Sequence, residues 1–201
     1  MTRFHYIFLV KFFLIITVSL AQNYHASPVA SQQKKIDDLK TKLSQIKLQY
    51  QKLQPHRPYI VINTSENEVV VHDGDFSHRA RCSTGSYILL KAYGHQREWL
   101  FKTPRGAFYI TVKLRDPVWY KPDWAFIEED LPIPSLAARS RYQSGVLGDF
   151  AVAFGQGYLI HGTLYKRLLG MPVTHGCVRL DDHDMQLVFN KLTHGSKVFI
   201  F

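Results

Sequence analysis

Cysteine is scarce in this chain: its 201 residues include two, Cys82 and Cys177. A small secreted fold stapled by disulfides needs more. The chain is long enough to bury a core without staples. Two cysteines could form one bridge or remain two free thiols. Long apolar runs are lacking too. The run Phe12 to Leu20 is shorter than the roughly 20 residues that cross a bilayer, and Lys11 cuts it off from the apolar residues before it. Acidic side chains are few: Asp and Glu total 16 against 25 Lys and Arg, for a formal charge of +9. That excess suits an anionic partner, such as carboxylate-rich peptides, acidic polymers or lipid headgroups. Nucleic acid is the general rival, and the N-terminal segment argues against it.

Arg3 and Lys11, the apolar run Phe12 to Leu20, and the small residues Ser19 and Ala21 compose a secretory signal over residues 1–21, with cleavage expected after Ala21. An uncleaved anchor helix is the alternative. No cysteine sits near that site to carry a lipid. Residues 22–57 read as a flexible lead followed by a helix. Ile36, Leu39, Leu43, Ile46, Tyr50 and Leu53 recur at alternating spacings of three and four, an a/d stripe between polar faces. The stripe lasts under three heptads, which makes an independent coiled coil marginal. An amphipathic helix lying on the domain and a weak homodimer through residues 34–54 are both open. Pro55 and Pro58 end the helix.

From residue 58 to 201 the pattern is mainly β. Tyr59–Asn63, Val69–His72 and Arg79–Ser83 read as strands joined by turns at 64–67 and 72–75, and Ala107–Val112 reads as a fourth strand. Residues 113–148 hold Trp119, Tyr120, Trp124, Phe126 and the prolines 117, 122, 132 and 134. The composition predicts an excursion with short helical turns rather than ladder strands, either a functional lid or a loop packing its aromatics on the core. Phe150–Phe154 and Tyr158–His161 read as a hairpin around Gly155-Gln156-Gly157. Met185, Val188, Phe189 and Leu192 mark one face of a helix, with Asp181, Asp182 and Asp184 at its N-terminal end and Gly195 as its C-cap. Lys197–Phe201 closes the chain as a strand.

Chemistry concentrates in two short segments, His161-Gly162-Thr163 and Thr174-His175-Gly176-Cys177-Val178-Arg179. A thiol reacts as its thiolate, which a neighbouring imidazole and backbone N–H groups favour. Glycine beside the reacting atoms lets substrate backbone approach. The N–H groups around Gly176 and Cys177 could form an oxyanion hole. Arg179 shares strand parity with Cys177 and His175 and could grip a substrate carboxylate. Each residue also has a plainer reading, since a lone Cys is commonly a small buried hydrophobe and a lone His a structural one. A zinc tetrahedron of His161, His175, Cys177 and His183 is a sharper rival, but the spacing matches no common zinc pattern. Thr193-His194-Gly195-Ser196 repeats the Thr-His-Gly triplet without a Cys, so the triplet alone says little. Either His161 or His175 could take the thiol proton.

The context of these residues resembles L,D-transpeptidase catalytic domains (the YkuD-like family). The resemblance rests on His161-Gly162-Thr163, Gly170 and the Thr174–Arg179 block. Ile60–Asn63 with Val69–Val71 and Asp73-Gly74, Ser83-Thr84-Gly85, Thr103-Pro104-Arg105-Gly106, and Gly195 before Lys197 give it weaker support. Thr174 stands where serine is more usual and keeps the hydroxyl. The resemblance covers residues 58–201. It implies a sandwich-like β domain with a few short helices, and no metal or organic cofactor. It implies Cys177 as nucleophile, His161 as general base, and Thr174, His175 and Gly176 shaping the site, with Gly162 and Arg179 on the substrate side. The base needs a third group to orient it; a backbone carbonyl is a candidate.

The implied reaction is acyl transfer on peptidoglycan tetrapeptide stems in the periplasm or cell wall, through a Cys177 thioester. The acceptor could be a neighbouring stem (a 3→3 cross-link), a free D-amino acid, or a lysine of a wall-tethered protein. The alternatives are a hydrolase (L,D-carboxypeptidase or amidase) using the same site, and a non-catalytic wall-binding module with a helical dimer stalk. Cys82 has the parity of Ala80 in its strand and is expected in the core.

Overall fold

The computed structural model describes residues 29–53, 55–91, 97–163 and 165–201. The expected signal at 1–21 and the start of the lead lie outside the described residues. The chain divides into two compact units at Gln54/Pro55. In the first, residues 29–53 form a helix, α1. Its stripe residues Ile36 to Leu53 are all exposed.

The second unit is built on one nine-stranded sheet. Strands β1 (Tyr59–Asn63), β2 (Glu68–Asp73) and β3 (Phe76–Ser83) run as an antiparallel meander. Alternation drives it: Ile60, Ile62, Val69, Val71, Ala80 and Cys82 all point inward and are buried. Two antiparallel strand pairs stand outside the main sheet, β4 (Leu89–Lys91) with β5 (Glu98–Leu100), and β8 (Val118–Tyr120) with β9 (Tyr142–Ser144). The remaining strands of the main sheet are β6 (Gly106–Tyr109), β7 (Val112–Arg115), β10 (Phe150–Gly155), β11 (Tyr158–His161), β12 (Val178–Leu180) and β13 (Lys197–Ile200), in the order β6-β13-β1-β2-β3-β12-β11-β10-β7. The sheet curls, so that its two halves share one core. Ile60, Val71 and Val198 from one half meet Val152, Phe154 and Ile160 from the other, and the Phe108 and Phe154 rings cross at 5.5 Å. This curled sheet is the sandwich-like β architecture expected. Helix α3 (Asp182–Lys191) packs Met185, Val188 and Phe189 into the same core. Its start follows its sequence, with Asp181 as N-cap accepting from His183 N at 2.9 Å.

Three expectations are corrected. The single strand over Ala107–Val112 is two strands at opposite ends of the sheet order, β6 on β13 and β7 on β10. Curling brings those ends together, and the chain steps across at buried Ile110, whose N–H bonds Ser196 O while Thr111 N–H bonds Ala153 O. The 113–148 excursion does contain ladder strands, the end of β7 and the β8–β9 pair. It also holds α2 (Asp123–Glu128) and a 3-10 turn at Arg139–Arg141. Proline is compatible with this because Pro117 precedes β8 and Pro122 caps α2 rather than entering a ladder. Gly195 is not the C-cap of α3. The helix ends at Lys191 with Leu192 extended. Gly195, at φ +83°, shapes the following turn and donates to Ile110 O.

Candidate active site

The parallel pairing of β11 with β12 brings the two chemical segments together. Ile160 registers with Val178 and His161 with Arg179. Ile160 and Val178 face the core, so Leu159, His161, Cys177 and Arg179 all turn to the other side. There they line a cleft of about 840 Å³. Leu159 N–H points at Cys177 Sγ from 3.4 Å.

The turn carrying Cys177 is fixed by hydrogen bonds from distant segments. Thr174 Oγ1 donates to Cys177 O at 2.6 Å and accepts from Gly176 N at 3.2 Å. Thr174 N donates to Thr84 O, and Ser86 N donates back to Thr174 O. Thr103 Oγ1 accepts from Gly85 N and donates to Gly176 O, both at 2.9 Å. Thr84 Oγ1 bonds Asn67 Oδ1 at 2.6 Å. The landmarks Ser83-Thr84-Gly85 and Thr103 are therefore the clamp on the Cys177 turn. Both glycines in it are required by space. A Cβ on Gly85 would stand 2.6 Å from Thr103 N, and one on Gly176, at φ +125°, would stand 2.6 Å from Tyr158 Cε1.

His161 is buried, with Nδ1 at 2.7 Å from Gly162 O. This contact is to a backbone carbonyl, the kind of orienting group suggested by the sequence. Held this way, Nδ1 carries the proton and Nε2 is left as the basic nitrogen. Burial pushes the ring down to about 4, with the Arg179 cation adding to the effect and the Gly162 and Leu147 carbonyls opposing it. His161 is therefore neutral near pH 7. Burial raises the Cys177 thiol, while Leu159 N–H and Arg179 pull it down. Part of the Cys177 surface stays open to the cleft, so water there tempers the burial effect.

His175 is held differently. Its ring stacks on Trp124 at 4.1 Å and meets Phe101 edge-on at 4.4 Å. Its Nε2 lies 2.7 Å from Glu128 Oε2. Trp124 and Glu128 are four residues apart on α2 and share one face, which lets the helix grip both the face and the edge of the imidazole. Half-buried Arg179 lines the cleft and has no carboxylate in ion-pair range among the described residues. Gly162 does not line the cleft. It is buried behind His161, where a Cβ would stand 2.1 Å from Asp182 Oδ1. His183 sits on α3 with its side chain 81% exposed, away from the other three residues of the imagined zinc set. Cys82 is fully buried, its thiol pushed up to about 12, and neither cysteine is in a disulfide.

The excursion forms the opposite wall of the cleft with Val118, Trp119, Tyr120, Trp124 and Leu147. Its conformation hangs on Arg141, which is 1% exposed. That guanidinium donates to Pro134 O, Ser135 O and Lys121 O and pairs with Asp123 at 2.8 Å. Asp182 reaches behind the site to accept from Thr163 N at 3.0 Å. Sequence reasoning missed Arg141, Glu128 and Asp182. A usable signal existed only for Asp182, since α3 begins with three carboxylates where one cap suffices.

A family model described as the L,D-transpeptidase catalytic domain matches residues 57–200. The chain belongs to that family. It is 29% identical over 147 residues to YqjB of Bacillus subtilis, named as an L,D-transpeptidase, covering 73% of this chain and 72% of that one. It is 46% identical to YcfS of Escherichia coli, of the same naming, over 48 residues that make up 24% of this chain and 15% of that protein. Among solved structures, an L,D-transpeptidase from Xylanimonas cellulosilytica superposes with a TM-score of 0.52 at 19% identity, covering 74% of this chain and 62% of that one. One from Mycobacterium smegmatis gives 0.51 at 19%, covering 72% and 58%. At this identity the superpositions show the shared fold. The chain spans under two thirds of the length of these two structures.

Proposed function

We propose that the protein is a cysteine-dependent transpeptidase acting on peptidoglycan tetrapeptide stems, with residues 58–201 as its catalytic domain. The observation that carries this reading is the placement of Cys177, a buried neutral His161 and Arg179, which has no ion-pair partner among the described residues, in one cleft. In the proposed mechanism Arg179 holds a carboxylate of the donor stem. Cys177 Sγ attacks the carbonyl of stem residue three as His161 Nε2 takes the thiol proton. Gly176 N–H is engaged by Thr174, which leaves the amide of Cys177 itself as a donor for the oxyanion. The intermediate collapses to a thioester, and His161 returns the proton to the departing D-Ala amine. An acceptor amine then attacks the thioester, giving a 3→3 cross-link, D-amino acid exchange or a tethered protein. Glu128 and Trp124 tie up His175, which favours His161 as the base. The same reading places the protein in the periplasm or cell wall, exported by residues 1–21.

The test uses protein from Gln22 onward with tetrapeptide muropeptides, beside Cys177→Ala, and mass spectrometry of the products. Cross-linked dimers containing a tripeptide stem, made by wild type alone, are expected. Tripeptide as the sole product moves the assignment to the hydrolase, and products unaffected by Cys177→Ala overturn the nucleophile.

A further inference from the structure

Helix α1 carries an apolar face that none of the proposed chemistry uses. Ile36, Leu39, Leu43, Ile46, Tyr50 and Leu53 each leave between 45% and 83% of their surface exposed. On a wheel of about 100° per residue they fall within an arc of about 100°. Lys40 and Lys47 border one edge of that arc, and Lys35 and Lys42 border the other. Asp37 and Asp38 lie on the far side with Lys34 and Lys52.

This arrangement discriminates between occupants. In a self-paired coiled coil, Lys40 and Lys47 take e positions and Lys35 and Lys42 take g positions, with glutamine at the remaining ones, so every charged flanking contact sets lysine against lysine. A second copy is therefore electrostatically opposed in parallel and antiparallel pairings alike. A dissolved polyanion would satisfy the lysines and leave the apolar stripe in water. An anionic lipid surface satisfies both: the stripe enters the acyl boundary, and the bordering lysines extend along it to reach headgroups. The carboxylates already face away. A helix of 29–53 is about 37 Å long, and no described helix is long and apolar enough to cross a membrane, so α1 is suited to lie in the interface.

We infer that α1 is an interfacial anchor that docks the protein on an anionic lipid surface, placing it beside a membrane independently of residues 1–21. The inference does not rest on the proposed reaction, and its test reads no catalysis. Protein from Gln22 onward is co-sedimented with vesicles of phosphatidylcholine and phosphatidylglycerol at 3:1, and with phosphatidylcholine alone. Wild type is expected to bind the anionic vesicles and to be released by 0.5 M salt, since the attraction is partly screened. The combined variant Lys35→Gln, Lys40→Gln, Lys42→Gln, Lys47→Gln should bind more than ten-fold more weakly, at up to about five-fold per lysine. Leu43→Ser with Ile46→Ser keeps every charge and should also lose more than about ten-fold. Circular dichroism and an unchanged unfolding midpoint confirm that the variants fold. Equal binding to both vesicle types, no binding by wild type, or wild-type binding by either variant overturns the inference. So does a wild-type dimer in sedimentation equilibrium that becomes monomeric with Leu43→Ser and Ile46→Ser.

Discussion

Burial of His161 should make the protein lose stability in mild acid. In the native state the ring takes a proton near pH 4, against an ordinary value of 6.5. The folded value is depressed, so the unfolded chain binds the proton first as pH falls. The stabilisation is fully present above 6.5 and drains away between 6.5 and about 4. With those two values, moving from pH 7 to pH 5 costs about 2 kcal/mol through this one group. Urea unfolding of wild type and His161→Gln at both pH values isolates it, because every other titrating group is common to the pair. The Gln side chain can still donate to Gly162 O, so the variant should fold. The wild type should lose about 2 kcal/mol more than the variant over that interval. Equal losses would show that the ring is not held neutral by burial. The same property sets the acid limb of kcat/KM, which should fall near pH 4 rather than near 6.5.

Arg141→Met should cost about 3 kcal/mol, the low end for breaking a buried ion pair, because Asp123 keeps a second partner in Arg97 at 3.2 Å. That should lower the unfolding midpoint by roughly 6–12 °C and raise KM, since the cleft wall loses its pin; an unchanged midpoint would remove Arg141 from that role. Asp182→Ala should lower kcat about five- to ten-fold with KM little changed, by freeing the Thr163 N–H that steadies the Gly162 carbonyl behind His161. Asp182→Asn retains an acceptor oxygen and should recover most of the rate; an Asn variant as slow as Ala would assign the effect to charge instead of positioning.

The meander, the β10–β11 hairpin and the start of α3 were legible because each is written locally: alternation buries Ile60, Ile62, Val69 and Val71, a Gly-Gln-Gly turn reverses the chain, and Asp181 caps the helix. The 106–115 segment was not legible. Nothing between Tyr109 and Val112 in the sequence signals a break, and the break exists because curling brings the two ends of the sheet beside each other. The same distinction divides the site. Cys177, His161 and Arg179 could be read because their register follows from two short segments and one parallel pairing.

How His175 is held could not be read, because its partner Glu128 lies 47 residues away. His175 is the nearer imidazole to Cys177 in sequence and, together with Phe101, it is held by Glu128 and Trp124 on α2. Those two residues belong to the excursion, whose sequence matches nothing in the landmarks of the catalytic segments. The excursion thus does more than wall the cleft. Glu128 holds His175 Nε2, and Trp124 stacks on the same ring, so the position of the excursion is joined to that of the Cys177 turn. Motion of α2 away from the cleft would release His175, while Thr103 and Thr174 would still hold Gly176 and Cys177. One helix therefore both lines the cleft and holds His175.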